Sequence, residues 1–286
     1  MHKTMRKTAI LGSGFLLAVL TAGICMASVA EAPSVTSGQQ VHAVAATKPV
    51  SSSQKRKRAY LAATTSAIAK PAKQIFLPAV VQTDITPHHQ QLADSVLRTL
   101  PSGCRDHLRN FYVQYVNAKN RGLGGKTTII ITGNVPDEEF AGLLTHECGH
   151  VIHSNLTGTQ RSGATNFRDG KDTFYADSPL VSFFSISWTE ADVLRAKAKK
   201  ADFVSGYAES NAFEDFAEAF TMYVLHRDAF EARAKTNIAI AAKLEWMKTN
   251  LPLPTDIMGV SRYRWDKTVP WDVTKLPYTL AMVRSF

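Results

Sequence analysis

The sequence predicts an α+β fold, a single domain with a small sheet and one helix that carries most of the polar chemistry. Three observations lead there. Thr127-Thr128-Ile129-Ile130-Ile131-Thr132 is a β-branched run with the character of a buried strand, and Gly133-Asn134 reads as the turn after it. Phe140, Leu143, Leu144, Cys148 and Val151 then recur at helical spacing. Farther on, Phe213, Phe216, Ala217 and Phe220 give a second helix an apolar side.

Taken in chain order, the first segment reads as an export signal. Lys3, Arg6 and Lys7 form a basic head, and residues 9 to 26 are uncharged and largely apolar. Ser28-Val29-Ala30 suits a small-x-small cleavage site, so residues 1–30 are expected to be a signal peptide or, if uncleaved, an N-terminal anchor. Residues 31–80 are rich in Ala, Ser, Thr, Val and Pro with no sustained amphipathic period, as in a disordered spacer or prosegment. Residues 81–286 are expected to form the folded domain with an extended C-terminal tail, a length that supports one core.

Within that domain, Thr86-Pro87 followed by Leu92, Val96 and Leu100 predicts a capped helix ending at Pro101-Ser102-Gly103. Phe111 to Val116 reads as a strand, and residues 238 to 248 as a helix. Residues 157 to 206 are an insertion between two helices. Its Phe183-Phe184-Ser185-Ile186-Ser187-Trp188 run suits the core better than a pocket. The segment ahead of Asp137-Glu138-Glu139 begins with Pro136, and both features favour a helix N-terminus.

That helix contains His146-Glu147-Cys148-Gly149-His150. Residues i and i+4 share a helix face, so His146 and His150 can close on one zinc ion, while Glu147 is placed to take a proton from a water. Catalytic zinc takes a third protein ligand. His153 is rotated away from the pair and is expected to be solvated or to stand behind the ligands. Glu214 is the better candidate. It shares a helix face with Glu218, which is placed to hydrogen-bond a ligand histidine and fix its tautomer. Asn211-x-x-Glu214 is also a capping-box-like pattern, and spacing does not choose between ligand and cap.

Four blocks together resemble lethal-factor-like gluzincin metallopeptidases, the group of the anthrax lethal factor catalytic domain and the Pro-Pro endopeptidases. They are Arg121-Gly122-Leu123-Gly124-Gly125-Lys126 with the strand after it, Leu144 to Val151, Tyr207, and Glu214-Asp215-Phe216-Ala217-Glu218-Ala219-Phe220. The resemblance covers roughly residues 90 to 226 and implies that the 81–286 domain is a zincin-like catalytic domain. It implies His146, His150 and Glu214 as ligands of one catalytic Zn2+, Glu147 as general base, and Tyr207 as hydroxyl donor to the oxyanion. Glu218 then supports a ligand histidine. Without the resemblance, Tyr207 would read as a packing residue ahead of a helix. The motif has Cys148 where an aromatic or aliphatic residue is more usual.

The implied function is a secreted or envelope-associated zinc endopeptidase acting on a peptide or protein. The same motif would serve a metal-dependent amidase of cell-wall peptide, and a non-catalytic zinc-containing envelope protein is the third reading. Net charge is +9, or +6 without the three charges of the leading segment, a mild basic bias. The run Lys55-Arg56-Lys57-Arg58 suits an anionic envelope surface or a solvated linker, and no base-reading motif points to nucleic acid. Membrane contact is expected only through the N-terminal segment. Cys104 and Cys148 would remain after its removal. An exported chain can pair them, but a cysteine facing the core suits two buried thiols better.

Overall fold

The computed structural model describes residues 80–81, 84–116, 120–254 and 259–280. The expected signal segment, the spacer as far as residue 79 and the Lys55–Arg58 run lie outside the described residues, and Val80, the spacer's expected last residue, begins β1. The architecture is α+β. A four-stranded sheet has the order β1 (Val80–Val81), β2 (Asn110–Gln114), β4 (Thr128–Thr132), β3 (Gly122–Gly124). β1, β2 and β4 are parallel, whereas β3 runs antiparallel to β4 along the edge.

Strand alternation places the core. Phe111 pairs with Ile129 and Val113 with Ile131, and all four side chains are buried. The sheet packs against α3 (Asp137–Asn155), and α1 (Pro87–Thr99) packs in turn against α3. α1 begins as its sequence predicts: Thr86 is the N-cap, and its side chain accepts from the His89 N–H. In α3 no side chain caps the start, but Asp137, Glu138 and Glu139 complement the helix dipole. Phe140, Leu144, Cys148 and Val151 are fully buried on its inner side.

Between α1 and β2 lies the short α2 (Ser102–Arg105), which carries Cys104. Contrary to expectation, Cys104 and Cys148 form a disulfide with a Cα–Cα distance of 5.2 Å. Cys148 lies two positions from each motif histidine, so about 200° of helix rotation turns it away from them toward α2. Burial of both sulfurs was foreseen; their proximity across 44 residues was not.

The insertion folds as the hairpin β5 (Ala164–Asp169) and β6 (Asp172–Tyr175), then α4 (Pro179–Ser187), then the short pair β7 (Trp188–Glu190) and β8 (Val193–Leu194). Phe183, Phe184 and Trp188 are core residues. Next come α5 (Ala212–Leu225), α6 (Arg227–Ala234) and α7 (Ile238–Asn250). α7 is tied to α5 by a buried ion pair, Lys243 to Asp215 at 2.7 Å, and Trp188 Nε1 donates to the same carboxylate. The tail is more ordered in its pattern than an extended strap. β9 (Gly259–Ser261) pairs antiparallel with β10 (Tyr278–Leu280), and a single helical turn spans Val273–Lys275.

α3 and α5 make the most extensive helix contact of the fold. A Cβ at Gly149 would lie 2.9 Å from Ala217 Cα. Glycine at this crossing lets the two helices approach closely enough for side chains of α5 to reach the histidines of α3.

Candidate active site

A cleft of roughly 640 Å³ runs over the α3–α5 crossing, with β3 on one side and the turn Tyr207–Glu209 on the other. His146, Glu147, His150, Tyr207, Glu214 and Glu218 all line it. The structure therefore brings together every site residue expected from the sequence.

His146 Nε2 lies 3.1 Å from Glu214 Oε2 and 3.2 Å from His150 Nε2, and His150 Nε2 lies 3.4 Å from the same carboxylate oxygen. Two ligands held tetrahedrally about 2.0–2.1 Å from one zinc ion stand about 3.3 Å apart. The three separations match that edge length. The three residues also form a group able to hold a metal ion. The donor set, two imidazole nitrogens and one carboxylate oxygen, is one that zinc accepts. Asn211 takes the capping role that the sequence pattern left open for Glu214. The Asn211 side chain caps α5 by accepting from the Phe213 and Glu214 N–H groups, each at 2.9 Å, which leaves the Glu214 carboxylate free to face the histidines.

Behind the histidines, Glu218 is completely buried. Its Oε1 lies 3.0 Å from His146 Nδ1, while Oε2 accepts from Ser205 Oγ at 2.5 Å and from the Val273 N–H at 2.9 Å. A carboxylate held by two donors can orient the His146 ring and present its Nε2 to a metal. Burial opposes charge on His146, but Glu214 and Glu218 outweigh it and raise the pKa. Glu214 shows the reverse: burial opposes ionisation, and His146 and His150 overcome it, so its pKa falls. Both shifts mark a pocket that favours positive charge between these side chains, whether a proton or a metal ion supplies it.

Glu147 is buried against the edge strand. A Cβ at Gly122 would come 2.0 Å from Glu147 Oε1, and one at Gly124 would come 2.6 Å from the Glu147 carbonyl oxygen. Glycine at both positions is what allows β3 to cross the carboxylate. Burial pushes the pKa of Glu147 up against the pull of His146 and His150, the direction that suits a base working near neutrality. The Gly124 N–H donates to it.

Tyr207 stands across the cleft, 37% exposed, with its ring 6.0 Å from that of His146. Its hydroxyl bonds to Glu214, and burial followed by that carboxylate raises its pKa, so it remains a proton-bearing donor. Its backbone is fixed from the tail. The Gly206 N–H donates to the Pro270 carbonyl at 2.7 Å and the Tyr207 N–H to the Trp271 carbonyl at 2.8 Å.

His153 is neither solvated nor a ligand. It is buried, stacked on Phe213, and its Nε2 bonds to Asp169 at 2.9 Å; burial lowers its pKa. Sequence reasoning also missed a cluster at the far end of the cleft. Arg121 donates to Glu139 at 2.5 Å, to Asp272 at 2.5 Å and to Thr274 at 3.0 Å, joining β3, α3 and the tail. No spacing pattern signals a cluster drawn from three segments so distant in sequence.

Residues 136–268 match the model of a family described as "Putative zinc-binding metallo-peptidase". That match supports a zinc-binding metallopeptidase family. It spans just under half of the chain and contains all six cleft residues foreseen from the sequence, but it ends before Trp271. No curated protein and no solved structure matches the chain.

Proposed function

We propose that this chain is a zinc-dependent endopeptidase of the lethal-factor-like gluzincin type, with a zincin-like catalytic domain, acting outside the cytoplasm as a secreted or envelope-associated enzyme. The carrying observation is the convergence of His146, His150 and Glu214 at tetrahedral separations, with the Glu147 carboxylate adjacent on the same helix. These three side chains would hold one Zn2+. Bound there, zinc supplies Lewis acidity toward water and the scissile carbonyl.

The chain's own residues account for the remaining roles. Glu147 Oε takes the proton of the attacking water and passes it to the leaving amine. The Tyr207 hydroxyl donates to the oxygen on which negative charge develops. Glu218 keeps His146 Nδ1 engaged, so that Nε2 faces the metal position. The outer edge of β3 offers backbone groups to an extended substrate. Arg121 and Gly125 bond β4 through their backbones, and strand alternation then turns Gly122 and Gly124 the other way, where the Gly124 N–H is taken by Glu147 and the Gly122 backbone and the Gly124 carbonyl face outward. An added strand antiparallel to β3 would pass over Glu147.

Among the described residues no helix is long and apolar enough to cross a membrane. An extracytoplasmic location rests on the basic-apolar leader and suits the Cys104–Cys148 disulfide. The leader would act as a signal or anchor, and the Lys55–Arg58 run would meet anionic envelope polymer.

The test compares wild type and Glu147→Gln on a peptide library and on cell-wall sacculi, with and without chelator. We expect about one zinc per chain in both proteins, chelator-sensitive cleavage by wild type, and a 10²–10⁴-fold loss in the variant. Cleavage of sacculi with no cleavage of peptides would shift the reading to a cell-wall amidase. A variant as active as wild type would remove Glu147 as the base.

A further inference from the structure

Trp271 is 72% exposed at the rim of the catalytic cleft, yet the backbone that carries it is among the most firmly held in the tail. The Pro270 and Trp271 carbonyls accept from Gly206 and Tyr207, Asp272 is paired with Arg121, and the Val273 N–H donates to Glu218. One edge of the indole rests on Gly206, where a Cβ would come 2.6 Å from the ring. One edge of the ring is thus set by a glycine, while most of the indole stays in solvent at a residue that lines the cleft. An indole left in water on a rigid support is a large apolar surface with little conformational entropy to lose on contact. Leu123 and Tyr207 are exposed large hydrophobic side chains lining the same cleft.

The position of Trp271 along the cleft follows from β3. Gly124, at the end of the strand, adjoins His150, whereas Arg121, just before its start, is bonded to Asp272. A substrate lying antiparallel to β3 therefore runs from the His150 end toward the Trp271 end. Residues C-terminal to the scissile bond fall beside the indole.

We propose that Trp271 forms a specificity subsite that binds a bulky apolar side chain within the first two residues after the scissile bond. This rests on the peptidase reading above. The indole face receives the apolar side chain, and the anchored backbone of residues 270–274 sets its place relative to Tyr207.

The experiment is cleavage profiling of a peptide library by wild type, Trp271→Ala and Trp271→Leu, the last keeping an apolar group over Gly206 if the alanine variant fails to fold. We expect wild type to favour Leu, Met, Phe or Tyr after the bond. The ratio of kcat/KM between a Leu peptide and its Gly counterpart should fall about 10–100-fold in the alanine variant, the range set by loss of apolar contact in a pocket. Preferences before the bond should stay as in wild type. An unchanged ratio in the variants, or a change confined to positions before the bond, overturns the subsite while leaving the peptidase reading intact. If wild type cleaves nothing, the peptidase reading fails, and tryptophan emission on titration with the Leu peptide still decides the subsite. A change present in wild type and absent in Trp271→Phe supports it; no change in wild type overturns it.

Discussion

Replacing both Cys104 and Cys148 by alanine separates the stability of α3 from the chemistry proposed for it. The disulfide closes a loop across 44 residues. For a loop of that length, restricting the unfolded chain is worth about 4 kcal/mol at 25 °C. In a domain of this size each kcal/mol shifts the melting temperature by about 2–4 °C, so the double variant should melt about 8–16 °C below wild type. The same geometry predicts what will not change. Cys148 projects from the side of α3 opposite His146 and His150, and Cys104 lies on α2, outside the cleft. Zinc content and kcat measured well below the melting temperature should therefore stay close to wild type. Thermal unfolding followed by circular dichroism, run on both proteins with and without reductant, gives the comparison. Reductant should lower the wild-type transition toward that of the variant and leave the variant unmoved. Free thiols at both Cys104 and Cys148, mapped by alkylation of unreduced, denatured wild type, would refute the bridge. A fall in zinc affinity as large as the fall in stability would refute the separation of the two faces of α3.

Three further outcomes follow from the site and the core. Tyr207→Phe should keep zinc content and melting temperature while kcat falls about 10²–10³-fold, as for loss of one oxyanion donor; unchanged kcat with a lower melting temperature would make Tyr207 a packing residue. Glu218→Gln should weaken zinc binding about 10–100-fold in competition with a chelator, because the group orienting His146 loses its charge. Retention at wild-type affinity would show that His146 needs no such partner. His226 is buried beside Tyr263 and Tyr278, with Nδ1 bonded to Ser261, and burial lowers its pKa to about 4. The unfolded chain then binds a proton that the folded chain refuses between pH 6.5 and about 4. Stability should therefore decrease as the pH is lowered through that window, by up to about 3 kcal/mol, and His226→Phe should flatten the decrease in acid-dependent denaturant titrations.

α3 and its partner α5 were legible as helices because each is written in a local period. His146 and His150 at i, i+4 need only α3 to be a helix, and the Asp137-Glu138-Glu139 start with apolar residues at helical spacing ensures that. Glu214 was ambiguous for a physical reason. A residue at the third position of a helix can serve the cap or face outward, and which it does depends on whether the preceding Asn211 supplies the cap alone, as it does here. The disulfide was misjudged because core-facing cysteines look the same in sequence whether or not a partner lies within reach. Only the packing of α2 against α3 brings Cys104 to Cys148.

The tail was the least legible part, and the reason lies in the groups it uses. Val273 reaches Glu218 through its N–H, and Pro270 and Trp271 hold Gly206 and Tyr207 through their carbonyls. Nearly every residue type carries those groups, so no side-chain pattern betrays the contact. Two neighbouring residues leave a trace. Asp272 pairs with Arg121, and Trp271 keeps an indole exposed where a smaller side chain would satisfy the backbone equally well. Backbone anchoring explains why the segment follows its course past the site. It does not explain an exposed tryptophan at its centre, and that excess over structural need points to contact with a substrate. The same division predicts different phenotypes for the two kinds of change. Proline at 273 would remove the donor to Glu218 and act on zinc affinity, whereas loss of the Trp271 ring would act on the choice of peptide.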